Sequence, residues 1–149
     1  MLNPDFRDML SEFSDAGVEY LLVGAYALAV HGFPRATGDL DLWVRPDSVN
    51  ARRVLHALVR FGAPVADFTE QDLSTRGTVI QIGVVPGRID VLTDIEGVEF
   101  AVAWKSRLET QIEGITVPVL DRICLLKNKR ACGRPKDMID AAWLEEQGE

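Results

Sequence analysis

At 149 residues, 47% apolar and 26% charged, the chain is long enough to bury a core and reads as one globular domain over residues 1–149. No apolar run approaches the about 18 residues of a membrane span, and acids without a basic-then-apolar leader stand among the first residues, so a cytoplasmic protein with no membrane partner is expected. A net charge of −7 argues against a protein that coats nucleic acid through a basic surface.

Asn3 and Pro4 mark a helix start, and Phe6, Met9, Leu10 and Phe13 recur at helical spacing up to Gly17. Val18 to Val23 follows as a strand, with its apolar part from Tyr20. Gly24 turns the chain, and Ala25 to His31 is a short helix of small residues with free backbone N–H groups at its start. By itself that turn reads as a tight strand-to-helix connection. His31, at a helix end, is expected to be satisfied by a carbonyl or the helix dipole and to sit at most on a site rim. A polar loop, Gly32 to Gly38, then feeds the run Asp39-Leu40-Asp41-Leu42-Trp43-Val44.

That run alternates with period two and is predicted to be a strand. Leu40, Leu42 and Val44 face a core, while Asp39 and Asp41 share the other face. Paired carboxylates repel each other and call for a cation. Oxygen-only ligands suit magnesium or manganese. In the loop before them, Arg35 either reaches a phosphate or balances Asp39 and Asp41 without metal, and the sequence does not separate the two.

Asp47 is predicted to cap a helix that carries Val49, Val54, Leu55, Leu58 and Val59 on one stripe and ends near Gly62. Ala63 to Gly77 is irregular and is read as a loop with a short helix. Thr78 to Val84 and Arg88 to Leu92 are predicted strands about a Pro86-Gly87 turn. Asp90 stands opposite Ile89 and Val91 in the second of them. A carboxylate central to an apolar strand needs a partner, so Asp90 is the natural third carboxylate; the alternative is a salt bridge to Arg88. Further on, Val98 to Phe100 and Ile115 to Val119 read as strands, with a helical piece over Ala101 to Leu108 and Trp104 in the core.

Leu120 to Ala131 is predicted to be helical, with Leu120, Ile123, Cys124 and Lys127 on one inward face. A last helix starts at Pro135. Cys124 and Cys132 lie about 12 Å apart along a helix and are expected to be free thiols. The segment Arg122 to Lys136 holds six of the 16 basic residues and none of the 23 acids. Such a stripe is either a solvated face or a contact for a local anion, a triphosphate or an RNA end.

Gly24-Ala25, then Asp39-Leu40-Asp41, then Asp90 between Ile89 and Val91, resembles the nucleotidyltransferase superfamily. With His31-Gly32 and Arg35-Ala36-Thr37-Gly38 added, the pattern is similar to its small prokaryotic members, among them toxins of the abortive-infection type. Looser likeness runs through Gln81-Ile82-Gly83, Arg88-Ile89-Asp90 and Lys127 to Arg134-Pro135-Lys136-Asp137.

The resemblance implies an α+β fold, a small mixed, largely antiparallel sheet with packed helices. It also implies metal-dependent transfer of a nucleoside monophosphate from a triphosphate to an acceptor hydroxyl. Asp39, Asp41 and Asp90 would be catalytic and would hold magnesium or manganese. Gly24, Ala25, Arg35, Thr37 and Lys127 would bind the nucleotide. The family's turn carries Gly-Gly or Gly-Ser; Ala25 here keeps the backbone donor and lacks the hydroxyl. The acceptor on this view is an RNA end such as transfer RNA, a protein or a small molecule, and a toxin would have an antitoxin partner. The competing expectation is a catalytically silent nucleotide-binding or nucleic-acid-binding regulatory module of the same fold.

Overall fold

The computed structural model describes residues 2–34, 38–84 and 86–148. Helix α1 (Pro4–Asp15) begins at Asn3, whose side chain accepts from the Asp5 N–H at 2.8 Å. Its apolar stripe of Phe6, Met9, Leu10 and Phe13 is fully buried. Strand β1 (Tyr20–Val23) runs directly into α2 (Gly24–Val30), and β2 (Asp39–Val44) follows with the predicted bounds. Helix α3 (Ser48–Phe61) is capped by Asp47, as expected, through a 2.7 Å bond from the Asn50 N–H.

The chain continues through α4 (Glu70–Leu73), β3 (Val79–Ile82), β4 (Arg88–Leu92), α5 (Phe100–Lys105), β5 (Leu108–Ile112), β6 (Ile115–Val119), α6 (Arg122–Cys132) and α7 (Pro135–Gln147). The six strands form one mixed sheet in the order β3-β4-β2-β1-β6-β5. Pairings β1–β2, β3–β4 and β5–β6 are antiparallel, while β2–β4 and β1–β6 are parallel. The α+β class and the mixed, largely antiparallel sheet are as the sequence predicts.

One face of the central strands presents Tyr20, Leu22, Leu40, Leu42, Ile89 and Val91, all buried. Phe13 of α1 meets Tyr20 edge-on at 5.2 Å between centroids, so α1 covers this face. Asn50 fastens α3 to the ends of the two central strands. Its amide donates to the carbonyls of Glu19 and Arg45 at 2.9 and 3.0 Å and accepts from the Glu19 N–H at 2.8 Å. These bonds satisfy polar groups at the strand ends that burial would otherwise strand.

The segment around residue 100 differs from expectation. Val98 makes only an isolated bridge to Ile95, and Phe100 opens α5 rather than ending a strand. That helix stops at Lys105, and Leu108 begins a strand that the sequence reading folded into the helix. The reason is exposure: β5 is a sheet edge whose residues are exposed or half-buried, so it lacks apolar alternation. Its signal is the turn instead. Glu113 (φ 48°) and Gly114 (φ 85°) both adopt left-handed backbone in a two-residue hairpin connection, which glycine tolerates and which matches strand twist. Trp104 is half-buried rather than core, lying between the Phe100 ring and the Arg107 guanidinium, 4.0 Å from its centroid. Among the described residues no helix is long and apolar enough to cross a membrane.

Candidate active site

Strands β2 and β4 run parallel and in register, so Asp39 stands beside Arg88 and Asp41 beside Asp90. Paired residues project from the same side of a sheet. All four charged groups therefore lie on the face opposite Leu40 and Ile89. On the other side of β2, Val23 of β1 pairs with Asp41, which brings the turn at Gly24 against that carboxylate. Gly24 has φ +71°, and a Cβ built there would lie 2.2 Å from Asp41 Oδ2 and 3.0 Å from its Cγ. Only glycine fits, on both conformational and steric grounds. The glycine and the second aspartate of the motif are thus one packed unit.

Arg88 ties the cluster together. Its Nη2 donates to Asp39 Oδ2 at 2.8 Å and to Asp90 Oδ2 at 3.3 Å, and its Nε lies 3.0 Å from Asp90 Oδ1. The salt bridge weighed as the alternative for Asp90 is therefore present, and among the described residues Arg88 is a cation that balances Asp39. Asp90 is 7% exposed. Burial, then the charges of Asp90 and Asp39, then a hydrogen bond with Asp90, push the Asp41 carboxyl up to about 7 against the pull of Arg88.

The sequence reading missed Arg88 as a site member. Its position two residues before Asp90 in a strand already places both on one face. What it could not show is the register that sets Arg88 beside Asp39, 49 residues earlier.

The remaining predicted residues fall as follows. Ala25 is half-buried at the start of α2. Arg35 and Thr37 lie outside the described residues. His31 closes α2, and its Nε2 donates to the Leu120 carbonyl at 2.8 Å, as expected for a helix-end histidine. Cys124 and Cys132 are free thiols.

The inward face predicted for α6 holds at Leu120 and Cys124 and fails at Ile123 and Lys127. Cys124, Leu125, Leu126 and Lys129 are buried, while Ile123 is 54% exposed and Lys127 faces solvent. Helix α7 sets this rotation. Lys129 Nζ lies 3.1 Å from Asp140 and 3.6 Å from Asp137, both buried carboxylates of α7. The basic stripe is likewise largely matched from within. Arg130 pairs with Glu145, Arg134 with Asp137 at 2.6 Å, and Arg122 donates to the Leu144 carbonyl at 2.9 Å. Four of its six side chains thus meet α7 rather than an outside anion.

No family model matches the sequence, and comparison with curated proteins finds no match. Solved structures do match. A lincosamide antibiotic adenylyltransferase, LnuA, in its lincomycin-bound form superposes with a TM-score of 0.63 at 14% identity over 99% of each chain. The enzyme ANT(2″)-Ia, in complex with adenylyl-2″-tobramycin, gives 0.62 at 16% identity over 96% of this chain and 87% of its own. A Thermotoga maritima protein with a provisional nucleotidyltransferase assignment gives 0.62 at 15% identity over 99% and 94%.

The chain has the nucleotidyltransferase fold. In that fold, the sheet built here brings one strand pair, β2 and β4, to carry all three candidate carboxylates. At such identities the likeness establishes the architecture and leaves substrate open.

Proposed function

We propose that this chain is a nucleotidyltransferase that moves a nucleoside monophosphate from a triphosphate to an acceptor hydroxyl, with a divalent cation held by Asp39, Asp41 and Asp90. One observation carries the reading. Two adjacent parallel strands of a nucleotidyltransferase fold crowd three carboxylates onto one face, against a glycine turn that admits no side chain.

Among the described residues, no three His, Cys, Asp or Glu side chains stand in a ready metal-holding arrangement. The donor chemistry nevertheless fits. All three groups offer oxygen, the donor set of magnesium or manganese. Burial first, and then repulsion from Asp90 and Asp39, raise the Asp41 carboxyl to about 7, and the charge of Arg88 does not cancel them. When bound, the metal would neutralise triphosphate charge and acidify the attacking hydroxyl.

The chain's own residues supply the rest. The turn at Gly24 and Ala25 offers backbone N–H groups to the phosphates. Asp90, on β4, is assigned to accept the proton of the acceptor hydroxyl as its oxygen bonds to the α-phosphorus and pyrophosphate leaves. Arg35 and Thr37 are assigned to the triphosphate from the resemblance. Lys127 keeps that assignment only as an exposed residue of α6 that a long substrate would have to reach.

A small-molecule acceptor is the better supported class. Two structural neighbours hold lincomycin and an adenylylated tobramycin. The RNA alternative loses support because the basic stripe is mostly matched by α7. A toxin role with an antitoxin partner rests on the resemblance alone. The second reading, a silent nucleotide-binding module, is favoured by the closure of Asp39 and Asp90 on Arg88.

The test offers each of four labelled triphosphates, with magnesium or manganese, to hydroxylated small molecules and separately to total RNA. Metal-dependent label in a small molecule with pyrophosphate release supports the reading. Triphosphate binding with neither label nor pyrophosphate would assign the silent module.

A further inference from the structure

We propose that Arg88 is an internal counter-ion that keeps the carboxylate site closed to a metal ion until a triphosphate offers its guanidinium another partner. This rests on the reading of Asp39, Asp41 and Asp90 as metal ligands. One guanidinium spans carboxylates from two strands, Asp39 on β2 and Asp90 on β4, at 2.8 and 3.0 Å. Those are two of the three carboxylates read as metal ligands. The arginine and the metal therefore compete for the same donors, and occupancy by one excludes the other.

The surroundings let the guanidinium leave. Arg88 is the first residue of β4, directly after the Pro86-Gly87 turn, and its side chain is 27% exposed against 10% for Asp90. It can swing toward solvent without disturbing Ile89 and Val91, which point into the core from the other face. Once displaced, an unpaired guanidinium at the edge of a carboxylate site needs an anion. A phosphate group matches its planar fork as well as a carboxylate does. Metal and triphosphate should therefore bind cooperatively, each raising the other's affinity by the same factor.

The test is titration calorimetry of the whole protein with Mn2+, alone and with a non-hydrolysable triphosphate analogue whose own Mn2+ binding is subtracted. Wild type is compared with Arg88→Met, which keeps an apolar stem and loses the charge. Wild type is expected to bind Mn2+ alone weakly and about tenfold or more tightly once the analogue is present. Arg88→Met is expected to bind Mn2+ alone about tenfold more tightly than wild type and to gain little from the analogue. Its metal-free melting temperature should fall and be restored by Mn2+. Should Arg88→Met not fold, Arg88→Lys retains the charge without the fork and should shift the same way by less. If wild type binds Mn2+ with the analogue but the variants bind Mn2+ alone no more tightly, the counter-ion role is overturned and the metal assignment stands. If wild type binds Mn2+ in neither condition, the metal assignment falls and takes this proposal with it.

Discussion

Gly24 and Asp41 are 17 positions apart and occupy one volume. A methyl at Gly24 would meet Asp41 Oδ2 at 2.2 Å, and φ +71° is a conformation that costs a non-glycine residue about 1–2 kcal/mol. Gly24→Ala should therefore lower stability by at least that amount and push the Asp41 carboxylate out of place, abolishing transfer; denaturant unfolding beside a transfer assay reads both. Asp41 itself predicts a pH dependence. Below about pH 4 it is protonated in folded and unfolded chains alike. As pH rises toward about 7, the folded chain holds its proton while the unfolded chain has lost it, so the metal-free protein loses stability on the way up. Asp41→Asn removes that loss. Its melting temperature should exceed that of wild type at about pH 8 and converge with it toward about pH 4, each kcal/mol being worth about 2–4 °C. A gap independent of pH would show that Asp41 is not the strained group.

Helices α6 and α7 show where element-level reading fails. The periodicity of α6 placed Lys127 on the inward face, and the fold exposes Lys127 and buries Lys129. Counting apolar residues could not find the buried face, because a lysine belongs to it. The deciding partners, Asp137 and Asp140, lie on the next helix, and pairing makes burial of Lys129 tolerable. Lys129→Ala should remove the buried cation between Asp140 and Asp137, the latter keeping Arg134, and cost about 3–5 kcal/mol. Lys127→Ala, at an exposed position, should change stability by no more than about 0.5 kcal/mol. Urea unfolding of the pair checks the assignment; equal effects would contradict it. Strand β5 was missed for the converse reason. A half-exposed edge strand has no apolar pattern to read, and only the Glu113-Gly114 turn announces it.

Across the molecule, what was legible is local. Period-two alternation placed Asp39 and Asp41 on one face of β2 and Asp90 opposite Ile89 in β4, with the observed strand bounds. The caps at Asn3, Asp47 and Gly62 also stand where the sequence put them. What was not legible is pairing between distant segments: β2 beside β4, which creates the Arg88 bridge, and α6 against α7, which absorbs the basic stripe. These contacts change how the site is read. Asp39 and Asp90 are held by an arginine, and the Arg122 to Lys136 stripe is less open to an outside anion than the sequence suggests. The measurement that tests the central claim most directly is metal-dependent pyrophosphate release from a triphosphate and acceptor pool, by wild type and by Asp39→Asn, with melting curves beside it. The account predicts release by wild type only with magnesium or manganese, and none by Asp39→Asn despite an intact melting transition. Full release by Asp39→Asn, or release by wild type that persists in excess chelator, would contradict it.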